Sequence, residues 1–251
     1  MDVFARILII AAVAPCVAFM IYVYRKDRVE KEPLGLLLLL LVGGFIATGL
    51  AMVLELVSTK ILSNVFYSYS MLYYAIENFL CVGFVEEWSK YIFLKLFTWK
   101  NNNFNCTFDG IIYSVFVSLG FAMLENVLYV LQGGLKTAML RAVLSIPGHV
   151  SYSVIMGLFY AYAKKAQVQG NNLLSKRLRL AGLLLASVVH GLFDFCLTVD
   201  NEIYIVVFAV LVVVLDISMF AIVRKESKND DFLEEEEKVI EERNTDFVDW
   251  N

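Results

Sequence analysis

Apolar residues run through this chain in long blocks separated by short polar connections, and they do not alternate with polar ones. The blocks cover approximately residues 5–24, 34–57, 71–98, 108–131, 138–163, 178–199 and 202–223. At about 1.5 Å rise per residue, each is long enough to cross a hydrocarbon layer of about 30 Å as a helix. A membrane β-barrel would instead show segments of about ten residues with alternating polarity, and that period is absent. The pattern predicts an all-α fold, a polytopic transmembrane helical bundle of about seven membrane-spanning helices.

Composition agrees: of 251 residues, 59% are hydrophobic and 18% charged. With a mean hydropathy of +0.68, a water-soluble domain is a poor fit. The first block follows Asp2 and a lone Arg6 and lacks a small-residue cleavage site, so it is expected to stay as a membrane anchor. The leucines at 36–41 are expected to face lipid.

Charge in the connections suggests an orientation. "RKDRVEKEP" (25–33), "KLFTWK" (95–100) and "KKAQVQGNNLLSKRLR" (164–179) carry four, two and five basic residues, and the alternate connections carry one or none. The positive-inside rule then places the protein in the cell membrane with its N-terminus outside and its C-terminus cytoplasmic. Residues 229–251 hold ten acidic and two basic residues, so the chain divides into a membrane domain over 1–225 and an acidic cytoplasmic tail over 226–251. Nothing basic and aromatic enough to bind nucleic acid is present. Cys16, Cys81, Cys106 and Cys196 show no metal or redox spacing and read as small apolar core residues.

The informative residues are the polar ones inside the blocks: Glu86, Glu87 and Lys90, then Glu125 and Asn126, then Arg141 and His149, then His190 and Asp194. An ionisable side chain at a helix centre costs roughly 2.5 to 3.5 kcal/mol on insertion, so such groups turn inward and mark a site or pathway. Glu86 with Lys90 and His190 with Asp194 are i,i+4 pairs, each on one helical face, and Glu87 flanks Lys90 from the other side. Duller readings exist for each. His149 follows Pro147 and could satisfy a freed backbone group, and the other pairs could hold helices together.

Chemically, adjacent carboxylates in dry surroundings suit water activation, one retaining a proton while the other accepts one. Imidazoles opposite a bound carbonyl could stabilise an oxyanion. Peptide hydrolysis inside the membrane fits this set. No serine or cysteine elbow is present. A zinc protease stays open, since Glu and His are acceptable ligands although H-E-x-x-H is missing. A scaffold or transporter with a polar intramembrane site also stays open.

These residues carry a resemblance. Through "APCVAFMIYVYRKDRVEKEP", "GFVEEWSKYIFL", "FDGIIYSVFVSLGFAMLENVLYVL", "RAVLSIPGHVSYSVIMGLFYAYAKK" and "VVHGLFDF", the chain resembles the PrsW family of glutamic intramembrane proteases, within the CPBP superfamily of CAAX prenyl endopeptidases. The resemblance implies that Glu86 and Glu87 are the paired catalytic glutamates, with Glu86 as the water-activating base. By the same resemblance Lys90 completes E-E-x-x-K, Glu125 closes F-x-x-x-E, and His149 supports the site. His190 and Asp194 form H-x-x-x-D. An ionised Asp194 would repel an oxyanion, so it is expected to orient His190 or to be protonated. The implied substrate is a single-span membrane protein such as an anti-sigma factor, cleaved among membrane lipids, and no cofactor is implied.

Overall fold

The computed structural model describes residues 3–66 and 70–233. Helix α1 (Val3–Lys26) leads into α2 (Leu34–Val65). The next helical run, 71–98, joins α3 (Met71–Ile76), a π-helical segment (Glu77–Phe84) and α4 (Val85–Thr98). Then α5 (Asp109–Leu140), a second π-helical segment (Arg141–Ser145) and α6 (Ile146–Val168) run on without a loop, followed by α7 (Asn172–Thr198) and α8 (Glu202–Lys228). The fold is an all-α polytopic membrane bundle.

Among the described residues, five helices are long and apolar enough to cross a membrane: α1, α2, the 60-residue run Asp109–Val168, α7 and α8. The expected seven therefore do not appear as seven separate elements. Two predicted blocks share the run Asp109–Val168, which breaks only at Gly134, where φ is 71° and ψ is −160°. Glycine alone adopts that conformation cheaply, and the break lets α6 return along α5. The block 71–98 is cut by its π-helical turns.

Helix α5 is the axis of the bundle, buried at every position from Asp109 to Ala122 and packed against α1, α2 and α6. Helix α8 turns apolar residues such as Ile203, Val210 and Ile217 outward, which in lipid needs no cover. Where α7 meets the first π-helical segment the backbones touch: a Cβ on Gly191 would lie 2.7 Å from Phe79 Cα. This close approach sits one residue from His190 and sets how near α7 comes to the α3–α4 run.

Some sequence expectations need correction. The run of leucines does not simply face lipid: Leu36, Leu37 and Leu40 are buried and Leu38 and Leu39 exposed, because a helix turns its side chains through every direction. In sequence, the aromatic and basic residues of "GLFYAYAKK" (157–165) read as an interfacial ending with its tyrosines as anchors, but Tyr160 is buried among Trp99 and Phe104. The four cysteines are buried and free, as expected.

At the end bearing the basic connections lies a group of acids, with Asp109 and Glu32 buried and Asp230 half-buried. Asp109 Oδ2 accepts from the Cys106 and Asn105 amides at 2.7 and 3.0 Å. The Tyr113 hydroxyl lies 2.7 Å from Glu32 Oε2 and 2.9 Å from the Asn103 carbonyl. Asp230 accepts from the Phe108 amide at 2.8 Å, and the chain through Leu233 pairs with Asn105–Thr107. The acidic tail from 234 to 251 lies outside the described residues.

Candidate active site

Glu86, Glu87 and Lys90 open α4 directly after the wide π-helical turns, and all three are buried. The spacing does what i,i+3 and i,i+4 geometry dictates. Lys90 Nζ reaches Glu87 Oε1 at 2.8 Å and Glu86 Oε2 at 3.1 Å, and it sits 4.0 Å above the Phe121 ring. The Glu87 Oε2 atom is buried without a hydrogen-bond partner.

His149 lies two residues after Pro147, which removes a backbone donor and lacks room for an α-turn beneath it; the π-helical segment Arg141–Ser145 ends there. Its side chain does not serve the freed backbone. Nε2 lies 3.0 Å from Glu125 Oε2 and Nδ1 lies 3.2 Å from Lys90 Nζ. Glu125 also pairs with Arg141 at 2.9 Å, and Arg141 Nε donates to Asn126 Oδ1 at 2.7 Å. Asn126 in turn donates to the Ala12 carbonyl at 2.7 Å, tying α1 to the centre.

Helix α7 supplies the opposite wall. His190 Nδ1 lies 3.0 Å from Glu87 Oε1, and Nε2 lies 3.2 Å from Asp194 Oδ2 and 3.8 Å from Glu86 Oε2. The Tyr152 ring stacks on the imidazole at 4.6 Å. All seven candidate residues, Glu86, Glu87, Lys90, Glu125, His149, His190 and Asp194, thus meet in one connected polar centre.

Donor atoms of Glu86, His149 and His190 lie within 4.8 Å of one another. Two imidazoles and a carboxylate, with a further position left for water, are a donor set used by catalytic zinc sites. Charge supports a cation there. Four carboxylates (Glu86, Glu87, Glu125, Asp194) face two fixed cations (Lys90, Arg141), and with neutral imidazoles a divalent ion would close the difference. The three atoms fit a metal with two adjustments, since both nitrogens of His149 and both nitrogens of His190 already have partners and each ring must release one of them.

A cavity of about 810 Å³ opens beside these groups, lined by Glu86, Glu125, His149 and His190 and by apolar side chains such as Met52 and Leu144. It extends toward Gln132 and Thr198, at the end away from the basic connections. Glu55 also lines it, a carboxylate that sequence reading passed over although it too interrupts an apolar block. Asn78 and Thr198 line it as well, joined by a 3.0 Å hydrogen bond; residues of these types carry no chemical signal in sequence.

Comparison with known proteins points the same way. A family model described as "PrsW family intramembrane metalloprotease" matches residues 32–221. The chain is 37% identical to "Protease PrsW" of Geobacillus kaustophilus, across 76% of this chain and 79% of that protein. It is 35% identical to "Protease PrsW" of Clostridioides difficile, across 83% and 86%. It is also 35% identical to the Bacillus subtilis protein of that name, across 78% and 86%. No solved structure is significantly similar to the chain.

Proposed function

Because the chain belongs to the PrsW family of intramembrane proteases, we propose that it hydrolyses a peptide bond of a membrane-bound substrate at a metal held by Glu86, His149 and His190. The observation that carries this reading is the convergence of three donor atoms from three separate helices within 4.8 Å, at the wall of a cavity large enough for a peptide segment. Glu86 is then a ligand and not a free base, which favours the zinc reading over glutamate-only water activation.

A bound zinc ion supplies Lewis-acid activation of water near neutral pH. The surrounding residues have separable duties. Glu87 accepts the His190 Nδ1–H, which orients the ring and leaves Nε2 between Asp194 at 3.2 Å and Glu86 at 3.8 Å, so that Nε2 would ligate once Asp194 gives way. Glu125 does the same for His149 through Nε2, leaving Nδ1 as the ligating atom once Lys90 turns to its two carboxylates. Asp194 lines the cavity and, once His190 Nε2 turns to a metal, is the carboxylate left to take a proton from water, whereas Glu125 stays engaged by His149 and Arg141.

The substrate class we assign is a single-span membrane protein, with an anti-sigma factor as the specific candidate. We count seven crossings, taking 71–98 as one and the run Asp109–Val168 as two, with the N-terminus outside and the C-terminus cytoplasmic. The basic connections support that orientation.

The test is cleavage of candidate single-span substrates by the purified protein in vesicles. Chelation is expected to abolish cleavage, and stoichiometric zinc to restore it. Activity that survives chelation but is lost in Glu86→Gln would restore the metal-free glutamate mechanism, which the double engagement of His149 favours. Solute transport without cleavage would instead support a transporter.

A further inference from the structure

The basic ends of α4 and α7 diverge to leave a cleft of about 170 Å³ between Tyr91, Lys95, Lys176, Arg179, Leu180 and Leu183. Three of these six residues are cationic. Among the described residues, none of the three is in an ion pair with a carboxylate. Arg179 packs its guanidinium carbon 4.1 Å from the centre of the Trp99 ring and bonds the Tyr91 hydroxyl, and its Nε has no hydrogen-bond partner. Lys95 and Lys176 are exposed on the two sides of the opening.

The surface around the cleft is apolar and open. Leu96, Leu173, Leu180 and Leu184 are exposed there, on helices that cross or approach the hydrocarbon. A ligand in this place meets cations at one end and aliphatic side chains at the other, which matches an anionic phosphate carrying acyl chains. We propose that this cleft binds the phosphate of an anionic phospholipid, with its chains lying along Leu180 and Leu184. Phosphatidylcholine would bring its own ammonium beside these three cations, so phosphatidylglycerol, with its net negative charge, fits better than phosphatidylcholine.

The position gives such a lipid a consequence. Helix α4 carries Glu86, Glu87 and Lys90, and α7 carries His190 and Asp194. The two helices are linked in the centre by Glu87 and His190 at 3.0 Å. A phosphate bridging Lys95 with Lys176 and Arg179 would tie them a second time, at the membrane surface.

Native mass spectrometry of the full-length protein, released from micelles containing phosphatidylglycerol and phosphatidylcholine, tests this. One phosphatidylglycerol is expected to be retained, and K176Q/R179Q is expected to weaken retention roughly tenfold or more. K60Q/K136Q, which removes cations from the opposite end, is expected to leave it unchanged. Because Arg179 also packs on Trp99, K95Q/K176Q repeats the test at exposed positions and should weaken retention similarly. Equal retention of phosphatidylcholine, or undiminished retention in both cleft variants, would overturn the proposal. Displacement of the lipid by inorganic phosphate alone would also overturn it, making the cleft a soluble-anion site.

Discussion

Two groups of buried and half-buried acids occupy different levels of this bundle, and only one borders the cavity to which we assign the chemistry. At the basic end, Asp109 and Asp230 are held by backbone amides, which cannot swing away, and Glu32 by the hydroxyl of the fully buried Tyr113. In the membrane centre, Glu86, Glu87, Glu125 and Asp194 are held by side chains that can reorient and share two imidazoles, and all but Glu87 border a cavity. Burial of a carboxylate therefore does not mark a site by itself. What marks one is an excess of negative charge among movable partners, next to space.

The contrast can be broken most forcefully in the centre. Glu86→Gln and His149→Ala are each expected to lower cleavage roughly a thousandfold or more while the protein still inserts and unfolds cooperatively. Normal cleavage by a well-folded variant would remove that residue from the site. Glu87→Gln should act one step back, through the orientation of His190, and cost about 10- to 100-fold in metal affinity. A zinc titration with a competing chelator measures it, and unchanged affinity would mean that Glu87 does not orient the imidazole.

At the other end the same kind of change should affect stability alone. Tyr113→Phe strands Glu32 and the Asn103 carbonyl, and is expected to cost about 1 to 3 kcal/mol in thermal or denaturant unfolding, with cleavage per folded molecule unchanged. A large loss of cleavage at full stability would mean that this cluster belongs to the site.

The smallest expected effect is a slope with pH. Burial raises Glu32 from 4.5 to about 7, and burial likewise raises Asp27 from 3.8 to about 6. The folded state thus favours the protonated forms, and the stability they contribute is full below the unfolded values and lost as pH rises through about 6 to 7. Melting temperature should fall from about pH 4 to about pH 7, between the unfolded and folded values, and Glu32→Gln should flatten the fall. A slope identical to the native protein's would assign it elsewhere.

Which parts were legible in the sequence follows the range of the interactions. Glu86 with Lys90 and His190 with Asp194 are set by helical spacing, and both pairs could be read directly. The bond between Glu125 and His149, 24 residues apart, depends on α6 turning back at Gly134, which no local period encodes. Glu55 was missed for want of a partner at helical spacing; it reaches the cavity only because α2 packs beside α5. Tyr160 was misread because an aromatic next to lysines resembles an interfacial anchor, and only the packing of Trp99 and Phe104 shows it to be core.

X-ray absorption at the zinc edge of cleavage-competent protein examines the proposed metal centre most directly. Two imidazole nitrogens and light oxygen donors at about 2.0 to 2.2 Å are expected, with one zinc per chain, and the imidazole signal should weaken in His190→Ala. Fully active protein holding no stoichiometric metal, or metal without imidazole neighbours, would contradict the assignment of Glu86, His149 and His190 as its ligands.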